Sequence, residues 1–373
     1  MPVFVSCWTD SVSNAKGYFV IDTLRSDLCT GGIRMRAGAT ADEAQRLART
    51  MTYKLAAAGI PFGGAKAAID YDPSLPDSYE VLKRFLLVHR PFVREFWITN
   101  EDLGTKESDI VSILNEFDIS SPFSAGLART IDPEKTLASL ARAVELEVDG
   151  LRMSDVVTGF GVAQAALEAM EFIGRESRGS RVAIQGFGSV GGSTARYLAR
   201  EGCTVVLVAD VEGAIYCSDG VDVEDLLTRR NRWGVISRSE LPSSYQQLRR
   251  EEWLSVDADM LIPAAAADAI HGANCQAIKA YLIVEGANIP TTPEAEKLLF
   301  ERGTLVIPDF VANAGAISYT PSVLLGRIKP DADEVFPHLK SQIRGATRRA
   351  LELSRQEGIT PRAAAIRLVE GLL

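Results

Sequence analysis

Apolar positions between residues 40 and 60 recur at helical spacing. Leu47, Met51 and Leu55 fall at i, i+4 and i+8, which predicts one inward seam. Ahead of them, Thr40-Ala41-Asp42-Glu43 reads as a capping box, Thr at the N-cap and Glu three residues on. Lys54 lies seven residues after Leu47 and shares the inward side. Pro61 and Gly63-Gly64 then break the helix. Lys66 follows where small residues let another backbone or a ligand come close. A lone lysine in such a place is ordinarily a snorkelling side chain. Two in the apolar stretch 51–69 point to a task instead.

The rest of the N-terminal part alternates strands and helices. Residues 17–22 are apolar and strand-like, 30–38 form a strand opened by glycines, and 65–70 form another, ended by Asp72-Pro73. A helix is expected over 78–89 and a strand over 92–99. That strand delivers Asn100-Glu101-Asp102-Leu103-Gly104-Thr105 to a strand end, where loop acids often carry chemistry. Capping the segment 107–117 would explain the same acids. Residues 120–135 are loop-rich, and a helix starts near Val157 behind Ser154-Asp155.

The second half has a sharper pattern. The apolar strand 181–185 runs into Gly186-Phe187-Gly188-Ser189-Val190-Gly191, then a helix, then the strand 204–209 ending in Asp210, 24 residues beyond Gly186. Strand before, helix after and a following acid are the context a dinucleotide fingerprint requires. The glycines allow the tight turn and a close backbone approach to the pyrophosphate, and the helix N-terminus supplies N–H groups. Asp210 is placed to accept from the adenosine ribose. Further strands over 259–265, 281–288 and 304–309, with a helix opened by Thr292-Pro293, imply a parallel, doubly wound sheet. Its carboxyl edge carries Asp210, Ala264, Asn288 and the loop to Asn313; either asparagine would also serve as a plain turn residue. Amphipathic helices near 331–356 and from Thr360-Pro361 close the chain. The reading is α/β with two domains: 1–148 for substrate and oligomerisation, 149–322 for the dinucleotide, and 323–373 as helices packing back on the first domain.

With 373 residues, 46% hydrophobic and 24% charged, the chain has the composition of a globular protein with two cores. Its formal charge of -9 argues against a nucleic-acid partner. No apolar run approaches the ~20 residues that cross a bilayer, and no signal peptide is recognisable. Five scattered cysteines without a CxxC fit reduced thiols in a cytoplasm, and the three histidines have no metal-ligand spacing, so no metal is expected.

These motifs, in this order, resemble the glutamate/leucine/phenylalanine/valine dehydrogenases, NAD(P)-dependent enzymes that oxidatively deaminate amino acids. The carriers are Gly31-Gly32-Ile33-Arg34-Met35, Met51-Thr52-Tyr53-Lys54, Gly63-Gly64-Ala65-Lys66, Glu101-Asp102-Leu103-Gly104-Thr105, Thr158-Gly159-Phe160-Gly161-Val162, the fingerprint, Gly286-Ala287-Asn288 and Asn313-Ala314-Gly315, from Gly31 to Tyr319. The resemblance implies a Rossmann-like second domain and a homo-oligomer built through the first. It implies that Lys54 binds the substrate α-carboxylate and that Lys66 activates a water. Lys66 must then become a neutral base near neutral pH, helped by desolvation and by repulsion from Lys54. Asp102 would shuttle protons, Thr158 would hold the nicotinamide carboxamide, Asn288 would lie near the cofactor ribose, and Gly32 would let its backbone approach the substrate.

Two departures bear on specificity. Glutamate-specific members carry a lysine before the paired glycines, where this chain has Thr30, and a serine where it has Thr320. Without that cation a buried side-chain carboxylate would be unpaired, so glutamate is disfavoured and a small or branched amino acid is expected. Asn313-Ala314-Gly315-Ala316 also departs from the family's NAGG. Asp210, Val211 and Glu212 show no adjacent Arg or Lys, which favours NAD over NADP. The expected partners are an amino acid, its 2-oxo acid and ammonia, with no nucleic acid or membrane. A hydroxy-acid dehydrogenase is the second reading, opposed by the lack of a strand-end histidine. A non-catalytic NAD-binding sensor is the third, opposed by Lys54, Lys66 and Asp102 together.

Overall fold

A computed structural model describes residues 1–231 and 233–372. The chain divides into two compact units, Met1–Leu140 with Pro321–Arg327, and Ala141–Thr320 with the residues from Ile328 on.

The first unit is built on six strands. β1 (Phe4–Thr9) pairs with β2 (Lys16–Ile21), and the short β3 (Cys29–Thr30) is followed by β4 (Ile33–Arg36). After helix α1 (Ala41–Ala57) comes β5 (Gly63–Asp70), then α2 (Ser78–Glu95) and β6 (Trp97–Ile98). The sheet order is β1-β2-β5-β3-β6, with β4 also on β5. Three helices follow, α3 (Glu107–Glu116), α4 (Ser124–Leu127) and α5 (Pro133–Glu145), the last leading into the second unit.

Local signals explain most of this. Thr40 caps α1, its hydroxyl accepting from the Glu43 N–H at 3.2 Å. The stretch expected as one strand over 30–38 splits at Gly31-Gly32. A Cβ on Gly31 would stand 1.7 Å from Ala65 O, and one on Gly32 2.5 Å from Glu101 O. The helix expected to stop at 89 runs through Pro91 to Glu95, leaving only Trp97–Ile98 as strand. Its seam, Val81, Leu82, Phe85, Leu86, His89 and Val93, stays buried past the proline, and tertiary packing overrides the breaker.

The second unit opens with the hairpin β7 (Glu147–Val148) and β8 (Leu151–Arg152), then α6 (Met153–Phe172), which starts four residues before the expected Val157. The strands β9 (Arg181–Gln185) and β10 (Thr204–Asp210) flank α7 (Ser189–Arg200). Next come β11 (Gly213–Tyr216), α8 (Val223–Arg229), β12 (Gln246–Leu248), β13 (Met260–Pro263) and β14 (Leu282–Val284). The chain continues through α9 (Pro293–Glu301), β15 (Leu305–Ile307), α10 (Asp309–Ala312), α11 (Gly315–Leu324), α12 (Ala332–Glu357) and α13 (Pro361–Glu370). The sheet order is β12-β11-β10-β9-β13-β14-β15. Its five strands from β10 to β15 are parallel, while β11 and β12 add an antiparallel edge. The chain leaves β9 toward β10 on one side and returns to β13 on the other. That reversal opens a crevice at the strand ends, where open α/β sheets bind ligands.

The expected division departs from the observed one at both boundaries: the first unit stops at Leu140, short of the expected 148. Pro321–Arg327 belongs to the first unit, but α12 and α13 belong to the second. The α12 seam of Val335, Leu339, Ile343, Ala350 and Leu351 is buried, and α12 packs on α6, which is apolar nearly all round. Among the described residues no helix is long and apolar enough to cross a membrane.

Candidate active site

In the first unit, α1 lies close on β5 because Gly64 has no side chain. A Cβ there would stand 2.2 Å from Thr52 N and 2.5 Å from Ala48 O. This approach sets Lys54, on the last turn of α1, and Lys66, in the middle of β5, in the interior. They are 6% and 4% exposed. Lys66 Nζ forms an ion pair with Asp102 Oδ2. The other Asp102 oxygen accepts from Arg34 Nε at 2.8 Å, and from the Leu103 N–H at 2.6 Å. Burial raises the Asp102 carboxyl, but Lys66 and Arg34 outweigh it and hold the group well below the usual carboxylate range.

Arg34 continues the chain of charges. Its Nη1 donates to Glu43 Oε1 at 2.9 Å, and Glu43 also binds Arg36. Glu43 thus does not close the capping box on Thr40; its carboxylate serves two arginines. Thr30 is buried in β3, and the space a Gly32 side chain would need is filled by the Asn100–Glu101 backbone. The neighbour in direct contact with Lys66 is an anion, where the sequence had suggested desolvation and Lys54 as the influences on it.

In the second unit the dinucleotide elements converge at the carboxyl ends of β9, β13 and β14. Gly186 takes a φ of +91°, and its missing side chain faces Ala264 O at 3.0 Å. A Cβ on Gly191 would lie 1.9 Å from Gly186 O, so only glycine lets α7 start here. Phe187 is buried, Ser189 is exposed beside Val190, and a Cβ on Gly188 would meet no described atom within 4 Å. The α7 N-terminus has no side-chain cap, which leaves its N–H groups for an anion.

Thr158, half-buried on α6, abuts the turn after Asn313: a Cβ on Gly315 would stand 2.9 Å from Thr158 Cα. Asn313 donates from Nδ2 to Gly286 O and Ala287 O, each at 3.1 Å, and to Asn288 Oδ1 at 3.2 Å. Its own Oδ1 is a buried acceptor with no partner among the described residues. An open glycine turn, an uncapped helix start and an orphaned amide oxygen fit the pyrophosphate and carboxamide of a nicotinamide dinucleotide.

Comparison with known proteins decides the family. A profile of the Glutamate/Leucine/Phenylalanine/Valine dehydrogenases matches residues 150–369, and that of the Glu/Leu/Phe/Val dehydrogenase dimerisation domain matches residues 3–119. The chain belongs to the Glu/Leu/Phe/Val dehydrogenase family. It is 31% identical to the glutamate dehydrogenase of Thermotoga maritima, covering 94% of this chain and 82% of that protein. It is 32% identical to the NADP-specific glutamate dehydrogenase A1 of Halobacterium salinarum, covering 77% and 67%. The hetero-hexameric glutamate dehydrogenase of Thermus thermophilus superposes with a TM-score of 0.77 at 25% identity, covering 99% of this chain and 87% of that one. As a member of this family the protein is an amino-acid dehydrogenase, an oxidoreductase acting on CH–NH2 groups with a nicotinamide cofactor. Its relatives include NAD-specific as well as NADP-specific enzymes.

Sequence reasoning missed three arginines in this dehydrogenase. Arg34 lay within a quoted motif, but nothing local paired it with Asp102. Arg238 was missed outright: its Nη2 donates to Asp210 Oδ1 at 2.6 Å and its Nη1 binds Oδ2. Both Asp210 oxygens also accept backbone N–H groups, Glu212 at 2.9 Å and Ile236 at 2.8 Å. The statement that no Arg stands beside Asp210 is therefore corrected: it holds along the chain and fails in space. Arg230 donates to Phe187 O and Gly188 O at 3.1 and 2.7 Å, bracing the fingerprint turn. Thr320 sits half-buried on α11.

Proposed function

We propose that the protein catalyses the reversible oxidative deamination of an L-amino acid with an uncharged side chain to its 2-oxo acid and ammonia. The observation that carries this reading is the ion pair between buried Lys66 and partly buried Asp102, on the same unit as the buried Lys54. Lys54 binds the α-carboxylate through charge-assisted hydrogen bonds. A nicotinamide held by Thr158, Ala264, Asn288 and Asn313 would supply the acceptor for the hydride on the substrate Cα. Lys66 orients the water that attacks the resulting iminium carbon. Its ammonium proton passes to Asp102, its ion-pair partner, the freed amine takes the proton of the attacking water, and Asp102 delivers the proton it received to the departing amine. Arg34 keeps Asp102 ionised between turnovers. Gly32, held against the Asn100–Glu101 backbone, offers main-chain groups to the carboxylate.

Thr158, Ala264, Asn288 and Asn313 hold the nicotinamide half of the cofactor, and Gly186–Gly191 its pyrophosphate. Asp210 and Glu212 favour NAD, but Arg238 offsets part of their charge, so the preference over NADP is modest, about tenfold or less. The named relatives are glutamate dehydrogenases. Thr30 nevertheless leaves a side-chain carboxylate without a cation at that position, which supports small or branched substrates, with Thr320 as a second contact. The enzyme works as a cytoplasmic homo-oligomer. The test is a screen of L-amino acids with NAD and NADP, following absorbance of the reduced cofactor, repeated with Lys66→Ala. Absence of turnover with every amino acid, or turnover unchanged by the substitution, would refute this mechanism.

A further inference from the structure

The last helix of the chain is tied to the turns assigned above to the cofactor. Arg362, the second residue of α13, donates from Nε to Glu296 Oε2 at 2.7 Å and from Nη1 to Asp309 Oδ1 at 3.0 Å, and its Nη2 binds Glu285. Glu285 and Asp309 have no exposed surface, and Glu296 is 4% exposed. Three buried carboxylates converge on one guanidinium, so none keeps its place cheaply without it.

Two of these acids reach onward. Asp309 Oδ2 accepts the N–H of Ile289 at 2.9 Å, and Glu285 Oε2 accepts the N–H of Asp309 at 2.8 Å. Ile289 stands at a φ of +47°, in the left-handed region. A β-branched residue stays there only when its surroundings hold it. The residue before it is Asn288, and Asn313, which binds the Asn288 side chain, donates its N–H to Asp309 O at 2.8 Å.

We propose that Arg362 is a positioning residue for the dinucleotide: by fixing Asp309 and Glu285 it holds the Asn288–Ile289 turn in its strained, cofactor-ready shape. This role rests on the functional reading above, in which Asn288 and Asn313 serve the cofactor. It differs from simple anchoring of α13, because it acts through one backbone conformation.

That difference gives the test. The full-length enzyme is compared with Arg362→Lys, Ile289→Gly and the double variant, by fluorescence titration with NADH and NADPH, kcat at saturating cofactor, and thermal unfolding. Arg362→Lys keeps a cation among the acids but loses the three-way fork. The expected result is a Kd for the reduced cofactor raised about tenfold, with kcat within about twofold. Glycine adopts the left-handed conformation without strain, so the double variant returns to within about threefold of the parent. Asp309→Asn, which alters the acceptor of the Ile289 N–H directly, gives the same loss and the same rescue, and serves if Arg362→Lys does not fold. A Kd unchanged in both single variants, a loss carried by kcat instead, or a double variant as weak as the single one overturns the role. If the unmutated enzyme binds neither nucleotide, the functional reading itself falls and takes this role with it.

Discussion

Arg238 grips both carboxylate oxygens of Asp210, the residue at the end of β10 that would meet the adenosine ribose. Glu212 stands 3.8 Å from the same guanidinium. The acid is thus neutralised by a residue 28 positions away, and the electrostatic bar to a 2′-phosphate is lowered. Arg238→Ala is expected to weaken use of NADPH by about tenfold or more while changing NADH by less than about threefold. Steady-state kcat/KM for the two cofactors checks this. An unchanged ratio would remove Arg238 from cofactor selection.

Lys66 and Asp102 should fail differently from cofactor-binding residues. Lys66→Ala and Asp102→Asn are each expected to lower kcat by about 10²–10⁴-fold and to leave the Kd for reduced cofactor unchanged. Stopped-flow turnover and fluorescence titration separate the two effects. Arg34→Gln removes one of the two cations that hold Asp102 low. The acidic limb of the pH–rate profile therefore moves to higher pH in that variant.

Thr30 is buried in β3, directly ahead of Gly31-Gly32. Thr30→Lys supplies a cation for a side-chain carboxylate, and kcat/KM for glutamate relative to leucine is expected to rise by about tenfold or more. Parallel assays with the two amino acids decide it. Equal ratios before and after would place the side-chain pocket elsewhere.

Stability should depend on pH through Glu285. Burial pushes its carboxyl up to about 7 against the pull of Arg362. The folded protein therefore keeps a proton that the unfolded chain has already released, and stability falls as pH rises from about 4.5 to about 7. Glu285→Gln should flatten that slope, an effect on the order of 1–3 kcal/mol. Asp102 works in the opposite sense, since its folded carboxyl lies below the usual range. Its contribution is present above the ordinary carboxylate pKa and is lost as pH falls toward the folded value. Denaturant titrations at several pH values resolve both limbs.

β1 is an edge strand with Val3 and Val5 exposed beside it and within it. An unpaired edge carrying apolar side chains invites a second copy. Val5→Lys is expected to shift the protein toward smaller assemblies, measured by light scattering across a range of concentrations. An unchanged mass would put the subunit contact on another face.

Much of this enzyme is legible along the chain because the deciding interactions are local. The Thr40, Thr292 and Thr360 caps, the seam of α1, and the run from β9 through Gly186 to α7 each depend on residues within a few positions of one another. The same holds for the burial of Lys54 and Lys66, since both lysines sit among apolar neighbours along the chain. Where α2 ends was not legible, because burial of Val93 outweighed the local signal of Pro91.

What the chain could not show by itself is which charge meets which. Arg34 reaches Asp102 across 68 positions, Arg238 reaches Asp210 across 28, and Arg362 reaches Asp309 across 53. Each pairing exists because sheet order and helix packing set separate segments side by side, and no local periodicity encodes that adjacency. The placement of α12 and α13 on the second unit has the same origin: their apolar faces specify that they must be covered, while only the assembled sheet and α6 specify by what. Local chemistry thus determined most of the secondary structure and singled out the candidate residues, and tertiary packing decided the partners that set their charge and hold them in place.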